Sequence, residues 1–253
     1  MKFFDANTSI GLDGRASDEM TRSFPGADEL LRAMDAAGIE RALVGHAGAE
    51  ISGIATNDFL AEETRGHHDR LISAWTYLPH YTGELPPWPE FFLQMAEAGT
   101  RALRIMPNSL LFPAHKMALE EDFSEFAHRH IPLILDWSEL KWDTIYRLAA
   151  DFPENVFIVS NVRLWPSDRF MRPLMAKHAH LYVETSKYWC AGGLADLVAN
   201  GYGERLLFGS GMPKLLAPAA MMEVRHADIA EEPKRAIAYG NLARLLDAVD
   251  LEG

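Results

Sequence analysis

Six polar side chains stand at or near the ends of short apolar runs: His46 in RALVGH, Arg104 in RALRIM, Asp136 in IPLILD, Asn161 in VFIVSN, and Glu184 and Ser186 in LYVETS. The opening run FFDANTSIG adds Asn7 and Ser9, two residues apart, just after Asp5. Asp136, Glu184 and His46 are candidate general acids and bases, with His46 titrating nearest neutrality. The planar fork of Arg104 suits a substrate carboxylate. Asn7, Ser9, Asn161 and Ser186 offer hydrogen bonds that position a ligand. Each residue also has a structural alternative, and these stay open: Asp136 can bind loop amides, Glu184 or Asp136 can neutralise Arg104 internally, and His46 can be a satisfied core histidine. Several titratable groups on one cavity are nevertheless costly to bury without purpose.

Such side chains converge only if the runs that carry them are arranged around a common centre. The sequence predicts eight strands, at 2 to 6, 41 to 46, 71 to 77, 101 to 106, 131 to 136, 156 to 161, 181 to 186 and 205 to 210. Between them lie amphipathic stretches such as ADELLRAMDAAG and EFFLQMAEAG, which close on Gly38 and Gly99. Alternating strands and helices with long crossovers predict a (β/α)8 TIM barrel, a single domain over residues 1–253 with two extra C-terminal helices broken near EEPK. Chemistry in such a barrel sits at the C-terminal strand ends. Counting back in twos from those ends puts Asp5, Asn7, His46, Arg104, Asp136, Asn161 and Glu184 on the inner surface, with Ser9 and Ser186 just above.

That direction also sorts the remaining histidines. The pairs HRH at 128 to 130 and HAH at 178 to 180 precede strands, so they fall at the wrong end for catalysis and read as residues favoured by helix C-termini. Five tryptophans (Trp75, Trp88, Trp137, Trp165, Trp189), with Tyr77, Tyr81, Phe112 and Tyr188, fall at strand ends or in the following loops. About half read as loop packing and the rest as pocket wall, with Trp137 the candidate beside Asp136.

Composition bounds the partners. The chain has 253 residues, 48% hydrophobic, with 24 Lys and Arg against 36 Asp and Glu, a formal charge of −12. That sign disfavours nucleic acid and anionic lipid. The N-terminus shows no signal-peptide pattern and no apolar stretch reaches membrane-spanning length, so a cytoplasmic protein is expected. The single cysteine, Cys190, excludes an internal disulfide and a cysteine zinc cage. The tryptophans leave room for a homodimer.

The phrases FFDANTSIG, AGTRALRIMP, IPLILDW, FPENVFIVSNV, HLYVETSKY, ERLLFGSGMP and AIAYGNLARLL, in that order, resemble the amidohydrolase-related barrels, a group of decarboxylases, lactonases and hydrolases of small carboxylated molecules. Carried over position by position, the resemblance puts Asn7, Ser9, Asp136, Asn161 and Gly211 where zinc-holding members have four His and an Asp. Only Asp136 is a convincing donor, and a hard cation held there with carbonyls and water would bind loosely. The expectation is therefore no metal and no cofactor. A metal bound by Asp136, His46 and Glu184 ranks last, because three separate strands supply them. The resemblance then implies a metal-independent enzyme acting on a small organic acid by hydrolysis, lactone opening or decarboxylation. The competing reading is an inactive barrel serving as a small-molecule binder or a partner subunit.

Overall fold

The computed structural model describes residues 1–13, 23–163 and 167–252, so Trp165 lies outside the described residues. Eight parallel strands follow one another in sequence order: β1 (Phe4–Ile10), β2 (Arg41–His46), β3 (Leu71–Thr76), β4 (Thr100–Ile105), β5 (Leu133–Asp136), β6 (Phe157–Ser160), β7 (Leu181–Glu184) and β8 (Leu206–Leu207). The ring closes through backbone. Ala6 N–H donates to the Phe208 carbonyl at 2.8 Å, Ser9 N–H to Met212 at 3.2 Å, and Thr8 bridges Met212 in parallel. This is the expected (β/α)8 barrel.

Helices alternate with the strands: α1 (Ala27–Ala37), α2 (Ala49–Ser52), α3 (Ala55–Thr64), α4 (Trp88–Glu97), α5 (Lys116–His128), α6 (Trp137–Asp151), α7 (Asp168–Lys177), α8 (Gly193–Ala199), α9 (Ala217–His226), α10 (Glu231–Arg235) and α11 (Asn241–Asp247). Acidic Asp28 and Glu29 in its first turn favour α1, and left-handed Gly38 ends it, with Ile39 N–H returning to the Met34 carbonyl. Gly99 is also left-handed, one residue beyond the C-cap of α4.

Two apolar layers result. Phe4, Ala6, Leu43, Ile72, Ala74, Ala102, Ile134, Ile158 and Leu207 fill the barrel, and Leu242, Leu245 and Leu246 of α11 plug its N-terminal end. The larger layer, including Val44, Leu103, Leu135, Val159 and Val183, packs strands against helices. Buried Asn241 ties the plug down by donating to the carbonyls of Gly203 and Leu206 at 2.9 and 2.8 Å. The expected C-terminal helices therefore lie across the bottom. Both His-x-His pairs precede strands, His128–His130 before β5 and His178–His180 before β7, away from the mouth.

The inner layer corrects one expectation about Asp5. Phe4 and Ala6 belong to that layer, so Asp5 between them is off the inward parity. The β1–β2 register then shifts between Asp5 and Thr8. A bulge of this kind resets which residues face inward, and it brings Asn7 and Ser9 to the mouth.

Candidate active site

The C-terminal mouth holds a cavity of about 160 Å³. Of the sequence-predicted site residues, Asn7, Ser9, His46, Arg104, Asp136 and Asn161 line it. Glu184, Ser186 and Trp137 do not. Glu184 and Ser186 are fully buried beneath Asn7. Trp137, in the first turn of α6, packs near Trp142 with a centroid separation of 6.4 Å, and the Lys141 ammonium lies 5.3 Å from its ring. None of the other expected rim aromatics among the described residues reaches this cavity. Trp75 packs on Phe91, Trp88 stacks on Phe92, and the Tyr77 hydroxyl donates to Asp122 at 2.5 Å. Trp189 borders a separate, largely apolar groove of about 620 Å³ beside α9, where burial pushes the Glu223 carboxyl up to about 7. That groove is larger, but the convergent polar strand ends are in the smaller cavity.

The floor of the mouth is one hydrogen-bonded network. Glu184 Oε1 accepts from Asn7 Nδ2 at 3.1 Å, from Asn161 N–H at 2.5 Å and from the Ser186 hydroxyl at 3.0 Å; Oε2 accepts from Ser186 N–H at 2.7 Å. Burial still pushes its pKa up against those donors. Asn161 sits in the left-handed region at φ 58°, a conformation Asn tolerates better than most residues, and its Nδ2 donates to Asp136 Oδ2 at 2.6 Å. Asp136 is also the N-cap of α6, its Oδ1 accepting from Ser138 N–H at 2.8 Å and from the Ser138 hydroxyl at 2.6 Å. Of the alternatives open for Asp136, binding to nearby amides is present, with the backbone amide coming from the first turn of α6 and the other from the Asn161 side chain.

Below this floor Asp5 is wholly buried. Its Oδ1 accepts from Asn7 N–H at 3.0 Å and Ser210 N–H at 2.8 Å, while Oδ2 has no hydrogen-bond partner among the described residues. Burial pushes its pKa up to about 7, partly offset by those donors. His46 accepts from Gly48 N–H at Nδ1 (3.0 Å), so the neutral ring carries its proton on Nε2; its ring packs edge-on against Phe59, and burial lowers its pKa.

Arg104 forms no ion pair or hydrogen bond among the described residues. The internal pairing with Glu184 or Asp136 that the sequence leaves open is not formed, since both carboxylates are held by the network. Gly45 gives the guanidinium its room, because a Cβ there would collide with Arg104 Nη1. Sequence reasoning missed Lys187, which follows Ser186 by one residue and lines the cavity half-buried. Burial lowers its pKa, opposed by Asp136 and Glu184 and assisted by Arg163 and Lys214. Lys214 also lines the mouth but pairs with Asp13 at 3.3 Å.

The residues present do not fit a divalent metal. Asn7 turns its amide donors toward Glu184, both oxygens of Asp136 accept hydrogen bonds, and Gly211 has no side chain. Among the described residues no three His, Cys, Asp or Glu side chains group as ligands.

No protein-family model matches the sequence, and no curated protein matches it. Solved structures do. Over 100% of this chain and 99% of its own, 2,6-dihydroxybenzoate decarboxylase from Rhizobium superposes with a TM-score of 0.74 at 17% identity. A dihydroxybenzoic acid decarboxylase from Polaromonas, with bound manganese and 2-nitroresorcinol, gives 0.72 at 17% identity over 97% of each chain. For 4-oxalomesaconate hydratase from Rhodopseudomonas palustris the values are 0.65 and 16%, over 97% of this chain and 96% of that one. At these identities the likeness establishes the fold, and the chain is a (β/α)8 barrel built to the same plan, end to end, as these enzymes.

Proposed function

We propose that this protein is an amidohydrolase-related barrel that binds a small carboxylated molecule at its C-terminal mouth and transforms it by hydrolysis, lactone opening or decarboxylation, without a metal at the family position. The observation that carries the reading is Arg104. A partly buried guanidinium with no protein anion bound to it among the described residues, facing a polar cavity at the catalytic end of a barrel, is poised for an external carboxylate. The neighbours support it, since two act on dihydroxybenzoates by decarboxylation and one is a hydratase.

Within this reading Arg104 orients the carboxylate, while Asn7, Ser9 and Asn161 position its oxygens or those of a neighbouring group. His46 presents Nε2–H as a proton donor. Asp136 and Glu184 hold the asparagines, and Glu184 reaches the mouth through Asn7 and Asn161. A second reading, a binder without turnover, gains support from the same network, because every oxygen of Asp136 and Glu184 is already engaged by internal donors.

Titrating the protein with a panel of small carboxylic acids and lactones, while following turnover, separates the two. Binding with product formation supports the enzyme, and binding alone supports the binder. Arg104→Ala should weaken carboxylate binding by about 1.5–3 kcal/mol, roughly ten- to a hundredfold, since a hydrogen-bonded charge is lost. Unchanged affinity in that variant would remove the basis of both readings.

A further inference from the structure

The cavity holds a second cation that the carboxylate reading leaves without a task. We infer that Lys187 supplies, opposite Arg104, the second anion-binding point of the mouth, so that the site selects small molecules with two acidic groups. This deepens the proposed function and rests on Arg104 as the first point.

Four observations carry it. First, Arg104 lies on β4 and Lys187 follows β7, so two separated staves of the barrel aim cations at one cavity. Second, neither cation has a hydrogen bond or ion pair among the described residues, whereas Lys214 at the same mouth is paired with Asp13. Third, the carboxylates that act on Lys187 electrostatically are Asp136 and Glu184, and other donors occupy their oxygens. Of the two further wall carboxylates, Glu139 is held by Ser109 N–H at 2.7 Å and the Ser109 hydroxyl at 2.9 Å, and Glu50 has a partner of its own. Burial depresses the Lys187 pKa despite its acidic neighbours, so the ammonium is under-compensated and would gain from an incoming anion.

Fourth, the space is small. A cavity of about 160 Å³ is of the size that admits a single small ring, about 150 Å³ being enough for benzene in an engineered cavity. That suits a short aliphatic diacid, or a single-ring acid with a second ionisable group, better than a larger ligand.

Isothermal titration of the full chain with succinate and with butyrate tests this, at fixed ionic strength, on the wild type, Lys187→Met and Lys187→Arg. Thermal melts confirm that each variant is folded. Wild type should prefer succinate by at least about tenfold, as a second charge-assisted contact implies. Lys187→Met should bring that preference to within about twofold by weakening succinate more than butyrate, and Lys187→Arg should keep it. Equal binding of the two acids by wild type, or an undiminished preference in Lys187→Met, overturns the inference and leaves the Arg104 reading intact. If neither acid binds wild type, while carboxylates of other shapes also fail, both fall together.

Discussion

Replacing Asp5 with Asn should flatten the pH dependence of stability between about pH 4 and 8. The carboxyl is completely buried, only Oδ1 has partners, and its pKa stands at about 7 against 3.8 for an exposed aspartate. A carboxyl whose folded pKa is raised takes up a proton on folding over that interval. Its contribution is fully present below the unfolded value and is lost as pH rises through the folded one. A difference of roughly three pH units corresponds to about 4 kcal/mol across the whole interval, of which about 2–3 kcal/mol is lost between pH 5 and 8. Burial also raises Glu184, so the wild-type profile contains more than Asp5, and the informative quantity is wild type minus variant. The asparagine oxygen can keep both backbone donors. Urea unfolding at pH 5, 6, 7 and 8, with equal denaturant slopes for the two proteins, would read the difference. Wild type should lose about 2–3 kcal/mol relative to Asp5→Asn across that range. Parallel profiles would show that Asp5 is ionised throughout and would refute the argument that desolvation outweighs its two amide donors.

Two further outcomes follow from particular contacts. Gly45→Ala should displace the Arg104 guanidinium, lowering carboxylate affinity about tenfold while stability changes by less than about 1 kcal/mol, because the colliding atom ends a flexible arm; titration and a thermal melt check both. Asn241→Ala should cost about 2–3 kcal/mol in urea unfolding, since two buried carbonyls at the base of the barrel lose their donor, and should leave ligand affinity at the opposite end unchanged.

Most of the fold was legible because strand order and burial leave a periodic trace. All eight strands fall within their predicted runs or overlap them, and α11 closes the barrel as the tail of the sequence suggested. The departures have local causes. β1 runs on to Ile10 rather than stopping at residue 6, because its second half pairs with both β2 and the segment around Met212. β8 shrinks to Leu206–Leu207, since the glycine-bearing stretch beyond it closes the ring through isolated backbone contacts. Strict alternation placed Asp5 inside, and the register shift that corrects this has no sequence signature beyond the run's unusual polarity. Lys187 escaped notice because counting in twos ended at Ser186, yet a lysine three residues past a strand ending in Glu is a readable signal in LYVETSK. The aromatics misled because a bulky residue after a strand serves loop packing as readily as a pocket, and Trp75, Trp88 and Tyr77 all serve packing.

The polar groups beneath the mouth satisfy one another. Asn161 donates through its side chain to Asp136 and through its backbone to Glu184, and Asn7 donates to the same glutamate, so the oxygens of both carboxylates are turned onto internal donors. A buried network of this kind is expensive to disturb, since freeing one acceptor strands its partner donor. Histidines placed at positions 7 and 9 would take Asn7 away from Glu184 and would still meet Lys187 on the same wall. The ammonium and the network therefore reinforce each other. The network occupies the carboxylate oxygens that could otherwise contact Lys187 directly, and in the proposed reading the ammonium left without a contact favours an incoming anion. On the proposed reading, specificity for an acidic ligand follows from how hydrogen bonds are distributed beneath the cavity as much as from the cations that line it.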